Sequence, residues 1–201
     1  MIPCWSVLVC GVAARRSLCG ELLDSLARQI GDKPVELLYL LDNQRRDVGS
    51  KRNALLAAAA GAYVSFVDDD DSVSENYVSA VFDRMVEAVP PPDVIVFGQL
   101  CHLVAEGFTR ICSYSLGQAY EQGEIPAPAP GAPRQWWKGP PAHTMVWASQ
   151  IAKGCRFPAK NFGEDVDWVA QACARATTQL VIDEVLYHYR FDPSVSLTRS
   201  S

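Results

Sequence analysis

Between Trp5 and Leu100 the chain switches repeatedly between two hydrophobic periods, and this alternation restricts its possible folds more than any other feature. The apolar run 5–10 ends at Gly11, the pattern of a buried parallel strand and its turn. Leu18, Leu22, Leu26 and Ile30 then recur at four-residue spacing and Gly31 stops them, which predicts a helix over 17–30. A second strand is predicted at 35–41, ending against Asp42, and a second helix at 49–60, rich in Ala and Leu and closed by Gly61. Residues 62–67 read as a third strand. Ser74 and Glu75 open a third helix whose Val78, Val81, Phe82, Met85 and Val89 share one face until the prolines at 90–92, and 93–100 reads as a fourth strand. Strands alternating with helices predict an α/β fold, a mainly parallel sheet flanked by helices. Ligands of such sheets collect at the carboxyl ends of the strands, where Asp42 and Asp68 both fall.

The second half is less regular. Residues 101–115 read as a hairpin turning near Glu106 and Gly107, and 116–141 as an aperiodic Pro-, Ala- and Gly-rich loop of the kind that forms lids or binding loops. A helix is predicted to begin near Gly163 with Val166, Val169, Ala170 and Cys173 on one face, followed by a closing strand at 180–191 and a polar tail. A chain of 201 residues buries one substantial core, so a single domain over 1–201 is expected. Its net charge of -5 opposes the broad basic face that grips nucleic acid, leaving nucleic acid as an acceptor at most. Seven cysteines, odd in number and without a C-x-x-C pair, suggest neither a zinc ribbon nor a disulfide framework; reduced thiols in a cytoplasm are expected. No apolar run is long enough to span a bilayer. The opening MIPCWSVLVCGVAA, with no basic residue before it, reads as a strand rather than a signal peptide.

Four consecutive carboxylates, Asp68 to Asp71, follow the third strand directly. Close carboxylates repel, so a positive group belongs among them. Acids at a strand tip are a common means of holding a divalent cation with positions open for phosphate oxygens; the alternative is a solvated turn or a helix N-cap at Asp71 or Ser72. An EF-hand is excluded by the absence of its sixth-position Gly and twelfth-position Glu. Upstream, Lys51, Arg52 and Asn53 sit at a predicted helix start, where N–H groups and two cations favour an anion; the alternative is a charged first turn on the surface.

Taken in order, G-x-K-R-N with its Ala-rich helix, G-A-Y-V-S-F-V-D-D-D-D, F-G-E-D-V-D-W and Y-H-Y-R-F-D-P-S-V-S-L resemble the inverting glycosyltransferases of family 2 over about residues 5 to 198. The resemblance implies a GT-A fold, Rossmann-like, with a nucleotide-sugar-binding half at 1–100 and an acceptor-binding half at 101–201. It implies that Asp42 contacts the base and that Gly11, Lys51, Arg52 and Asn53 border the nucleotide pocket. Asp68 and Asp69 would face the sugar side of the donor. Asp70 would reach Mg2+ or Mn2+, with Asp68 and His188 as further ligands, although Asp71 leaves the register open by one. For His188 the alternative is a structural histidine between Tyr187 and Tyr189. Asp165, with Glu164 second, would take the acceptor proton opposite the departing diphosphate.

Trp137, His143 and Trp168 fall where acceptor-side residues lie; ordinary packing is the alternative for the tryptophans. The expected reaction moves a sugar from a nucleoside-diphosphate sugar, UDP-linked by default, to a hydroxyl on a glycan, a protein or a hydroxymethylated DNA base. Two rivals remain. A nucleotidyltransferase would need a Gly- and Arg-rich first loop, and CGVAARRS supplies one Gly and two Arg. A non-catalytic binding module would not need Glu164 and Asp165.

Overall fold

The computed structural model describes residues 3–42 and 45–192, so the Ser-containing end of the closing motif lies outside the described residues. Strand β1 (Trp5–Val12) is buried at all of its positions. It pairs in parallel with β2 (Val35–Asp42) on one side and β3 (Tyr63–Asp68) on the other. Two parallel neighbours remove any solvent-facing edge, which is why β1 tolerates an unbroken apolar run. The register sets Cys10 beside Asp68 and Val12 beside Asp42, so the two acids end strands on opposite sides of β1.

A short turn, Ala13–Arg15, leads from β1 into helix α1 (Arg16–Ile30). This helix buries Cys19, Leu22, Leu26 and Ile30, the predicted stripe except for Leu18, which is half-exposed. Helix α2 (Val48–Ala58) joins β2 to β3, and its N-cap Asp47 accepts a hydrogen bond from the Ser50 N–H. After β3 come the two-residue strand β4 (Ser72–Val73), helix α3 (Tyr77–Glu87) and strand β5 (Val94–Leu103). Helix α3 buries Tyr77, Val78, Val81 and Met85 but stops before Val89, which is 92% exposed and does not join the predicted face.

Strand β5 turns back through Gly107, at φ 68°, into antiparallel β6 (Phe108–Tyr114), the expected hairpin. The predicted loop at 116–141 instead contains two strands. β8 (Gln135–Gly139) lies parallel to β6, and β7 (Glu121–Glu124) lies antiparallel to β8. Both are held chiefly by backbone pairing at the sheet edge, and β7 is mostly exposed, so no apolar alternation announces them. Strand β9 (Val146–Ala148) inserts antiparallel between β3 and β5 and runs into the short helix α4 (Ser149–Lys153). Helix α5 (Glu164–Cys173) and strand β10 (Gln179–Phe191) complete the fold.

The strands form one mixed sheet in the order β2-β1-β3-β9-β5-β6-β8-β7, with β10 parallel to β5 and β4 antiparallel to β10. This is the expected α/β architecture. Among the described residues no helix is long and apolar enough to cross a membrane.

Helix α5 corrects the sequence expectation. Glu164, Trp168 and Ala172 form its buried face, whereas Val166 is 60% exposed. Trp168 stacks flat on Phe157 with ring centroids 4.9 Å apart, and meets Phe66 and Trp147 edge-on. Burial of so large a ring outweighs that of a valine and sets the helix rotation. Trp168 is therefore core, not an acceptor platform.

Candidate active site

The carboxyl ends of β1 and β3, the start of α2, the start of α5 and the β5–β6 hairpin enclose a cleft of about 540 Å³. From the first half of the chain it gathers Lys51, Arg52, Asp68, Asp69 and Asp70. From the second half it gathers Trp137, His143, Glu164 and Asp165.

Each of the four clustered acids has a different neighbour. Asp68 accepts a hydrogen bond from Arg52 Nη2 at 2.8 Å, and its other oxygen lies 3.5 Å from His143 Nε2. Burial opposes its charge, yet the Arg52 guanidinium and the His143 ring hold its carboxyl well below the usual range. Asp69 accepts from the Val12 N–H at 2.8 Å and pairs with Arg15 Nη2 at 2.5 Å. Asp70 pairs with the other terminal nitrogen of the same guanidinium, also at 2.5 Å. Burial, with the Asp68 and Asp69 charges adding to it, pushes the Asp70 carboxyl up to about 6 despite Arg15. Asp71 is buried at the cleft wall, accepting from Tyr187 Oη at 2.6 Å and from the Arg190 N–H at 2.8 Å. Burial and the Asp68 charge raise its pKa well above the carboxylate range. Asp71 thus ties the tip of β3 to β10.

Arg52 is buried and spans the cleft floor, with Nε 3.2 Å from Glu164 Oε1 and its guanidinium 5.1 Å from the centre of the Phe66 ring. Glu164 is itself buried, and burial raises its pKa against the pull of Arg52. Its neighbour Asp165, with a side chain 38% exposed, opens onto the cleft, and its Oδ2 lies 3.5 Å from His143 Nδ1. One imidazole thus stands between Asp68 and Asp165, and its buried Nε2 has no hydrogen-bond partner.

Several expected site residues do other work. The first N–H groups of α2 are not open to an anion: Val48 donates to Asn161 Oδ1, Gly49 to the Lys160 carbonyl and Ser50 to Asp47. The Lys51 ammonium donates to the Gly11 carbonyl and lies 3.5 Å from Asp42 Oδ1. Asn53 exchanges two hydrogen bonds with the backbone of Phe157 and does not line the cleft. Gly11 is a close-approach residue, since a Cβ there would lie 2.4 Å from the Tyr39 ring. Asp42 lies outside the cleft lining, next to positions beyond the described residues. His188 lines a neighbouring depression that shares Asp70 and Asp71 with the cleft, 3.2 Å from Ser74 Oγ and stacked on His102, while Tyr189, alternating with it along β10, reaches the cleft.

Sequence reasoning missed Arg15, Tyr114 and Arg110, which also line the cleft. The signal for Arg15 was present, two arginines just beyond the first strand. Tyr114 and Arg110 carried none, being single residues on a hairpin whose cleft-facing side is set by strand pairing. Tyr114, Trp137 and Tyr120 form a run of rings at 5.5 and 5.4 Å centroid spacing.

Among the described residues no three His, Cys, Asp or Glu side chains converge as a metal-binding group. Asp71 is hydrogen-bonded on both oxygens and Asp69 is all but buried, whereas Asp70, 16% exposed against 1% for Asp69, faces the cleft. One carboxylate completed by phosphate oxygens and water is the habit of Mg2+, so this donor set fits a cation held mainly by Asp70 and a diphosphate.

The acids at the strand ends thus face a helix-borne carboxylate across one cleft of an α/β sheet. The model of the family described as glycosyl transferase family 2 matches residues 18–122, more than half of the chain, and the chain belongs to that family. Among solved structures it is similar to S. aureus TarS 1–349, at 17% identity over 92% of this chain and 60% of that one, with a TM-score of 0.61. The same protein in complex with UDP-GlcNAc matches at 16% identity, over 96% of this chain and 61% of that one, with a TM-score of 0.65. Its complex with UDP matches at 17% identity, over 94% and 61%, with a TM-score of 0.62. The chain therefore spans about three fifths of these structures, and at such identity the likeness establishes the fold. No curated protein matches the sequence.

Proposed function

We propose that this chain is a metal-dependent, inverting glycosyltransferase that moves a sugar from a nucleoside-diphosphate donor, UDP-linked by default, to a hydroxyl acceptor. The observation that carries the reading is the position of Asp165. It is the exposed carboxylate of the E-D pair, and it opens into the same cleft as Asp68 and Asp70. Direct displacement needs a base on the face opposite the leaving group, and a carboxylate across the cleft from a diphosphate-binding tip meets that need. UDP is favoured as the nucleotide because the similar TarS structures hold UDP-GlcNAc and UDP.

In this reading Asp68, kept ionised by Arg52, accepts hydrogen bonds from sugar hydroxyls on the donor side. Asp70 would hold Mg2+ or Mn2+, and the cation, when bound, would supply positive charge against a leaving diphosphate. Asp165 takes the acceptor proton, and His143 orients it through Nδ1. Glu164 is already engaged with Arg52 and buried, so its part is structural. Trp137 and Tyr114 border the acceptor side. Acceptors in this reading are hydroxyls on glycan, protein or a modified DNA base. The odd number of cysteines without a C-x-x-C pair supports a reducing, cytoplasmic compartment in this reading.

The test is a panel of uridine, guanosine, cytidine and thymidine sugars with Mn2+, read as donor hydrolysis and as thermal stabilisation by ligand. Asp165→Asn should retain donor binding while turnover falls roughly 100-fold or more. Full turnover in Asp165→Asn would remove that residue as base, and no response to any donor would remove the transferase reading.

A further inference from the structure

We infer that Arg15 occupies the cation's place at the acid tip while the chain is free, and that the diphosphate of an incoming donor draws it away and so opens the metal site. The inference rests on the donor-site reading above and concerns a residue which that reading leaves without a role. Arg15 ends the turn that joins β1 to α1, and its side chain, 13% exposed, lines the main cleft. Its two terminal nitrogens reach different carboxylates, Nη2 at 2.5 Å from Asp69 Oδ1 and Nη1 at 2.5 Å from Asp70 Oδ2. A planar fork of fixed donors suits this bridging task, and a lysine would not reproduce it.

The guanidinium touches both adjacent carboxylates and so stands where a cation would offset their mutual repulsion. A divalent cation arriving alone at Asp70 would have to displace Arg15 Nη1 and sit beside a guanidinium still held by Asp69, one positive charge against another. A diphosphate arriving at the same place changes the balance, because phosphate oxygens are strong bidentate partners for arginine. Arg15 then passes from carboxylate to phosphate, and Asp70 passes from arginine to the cation. Cation and nucleotide binding are thereby coupled, and the coupling acts equally on both ligands.

The experiment measures Mn2+ binding to the full chain by titration of the free-ion electron spin resonance signal, first without nucleotide and then with UDP. Arg15→Gln should bind Mn2+ alone about tenfold or more tightly than the wild type. Arg16→Gln, which removes the same charge from an exposed neighbour, should stay within about twofold. UDP should tighten Mn2+ binding strongly in the wild type and much less in Arg15→Gln. Equal Mn2+ affinity of wild type and Arg15→Gln overturns the inference whether or not UDP binds. Failure of UDP, GDP, CDP and dTDP to bind either form in Mn2+ overturns the donor-site reading instead. If Arg15→Gln does not fold, as judged by circular dichroism, Arg15→Lys serves: weakened bridging predicts tighter Mn2+ binding than wild type, and an unchanged affinity overturns the inference.

Discussion

At the scale of single residues, Arg52 is the cation on which the two halves of the cleft depend. It is buried, pairs with Asp68 from the first half and with Glu164 from the second, and rests against the Phe66 ring. Removing one member of such a group leaves the others charged and dry, so Arg52→Ala should lower stability by about 3–5 kcal/mol in urea denaturation. A loss near zero would mean that water reaches these acids. His188 makes the opposite kind of statement. Burial lowers its pKa and the neighbouring His102 lowers it further, while Glu21, Asp70, Asp71 and Arg190 line the same depression. The unfolded chain takes up this proton first as pH falls, so the stability is intact above a pH of about 6.5 and is lost as pH drops through the lowered folded-state value. In thermal melts from pH 7 to 5, His188→Gln should therefore lose less midpoint temperature than the wild type. The acid run itself was legible in the sequence as a charged site needing a counter-ion. That two arginines meet three of its members, and a tyrosine with a backbone amide the fourth, was not.

At the scale of elements, most of the first half could be read from hydrophobic period alone. Strands β1, β2, β3 and β5 and helices α1 and α3 lie close to where apolar runs and periodicity put them, and α2 lies where its Ala- and Leu-rich composition and Gly61 put it, although it buries Lys51 and Arg52 rather than an apolar stripe. Helix α5 shows the limit of that reading. Its valines suggest one face and its tryptophan another, and the choice depends on Phe157, Phe66 and Trp147, none of which is in the helix. Trp168→Ala should cost roughly 3–5 kcal/mol, whereas Val166→Ala on the exposed side should stay within about 0.5 kcal/mol. Chemical denaturation of the pair checks the rotation directly, and the reversed order would restore the valine face. The same rotation carries function, since it buries Glu164 against Arg52 and leaves Asp165 open to the cleft. Strands β7 and β8 escaped notice for a different reason: backbone pairing at a sheet edge needs no apolar alternation.

At the scale of the whole molecule, the site exists because helix α2 is pinned to the segment that precedes α5. Gly49 is the point of closest approach, where an added Cβ would lie 1.9 Å from the Pro158 carbonyl oxygen. Around it, Val48 and Gly49 donate to Asn161 and Lys160, and Asn53 holds both polar groups of the Phe157 backbone. Gly49→Ala should force the two segments apart at a cost of roughly 1–3 kcal/mol. It should also reduce turnover more than donor binding, because it moves Asp165 relative to Asp68; melts and a nucleotide-binding titration on one preparation separate the two effects. By itself the sequence determined the order of strands and helices over its first half, the location of the acid tip and the pair Glu164–Asp165, since these are matters of local period and adjacent residues. Only the tertiary structure decided which cation answers which acid, which carboxylate of the pair faces the cleft, and which conspicuous residues, such as Asn53 and Trp168, are taken up in packing the fold. Charge partners here are separated by 16, 55 and 112 positions, and pairing over such distances is settled by how the elements pack, not by any pattern along the chain.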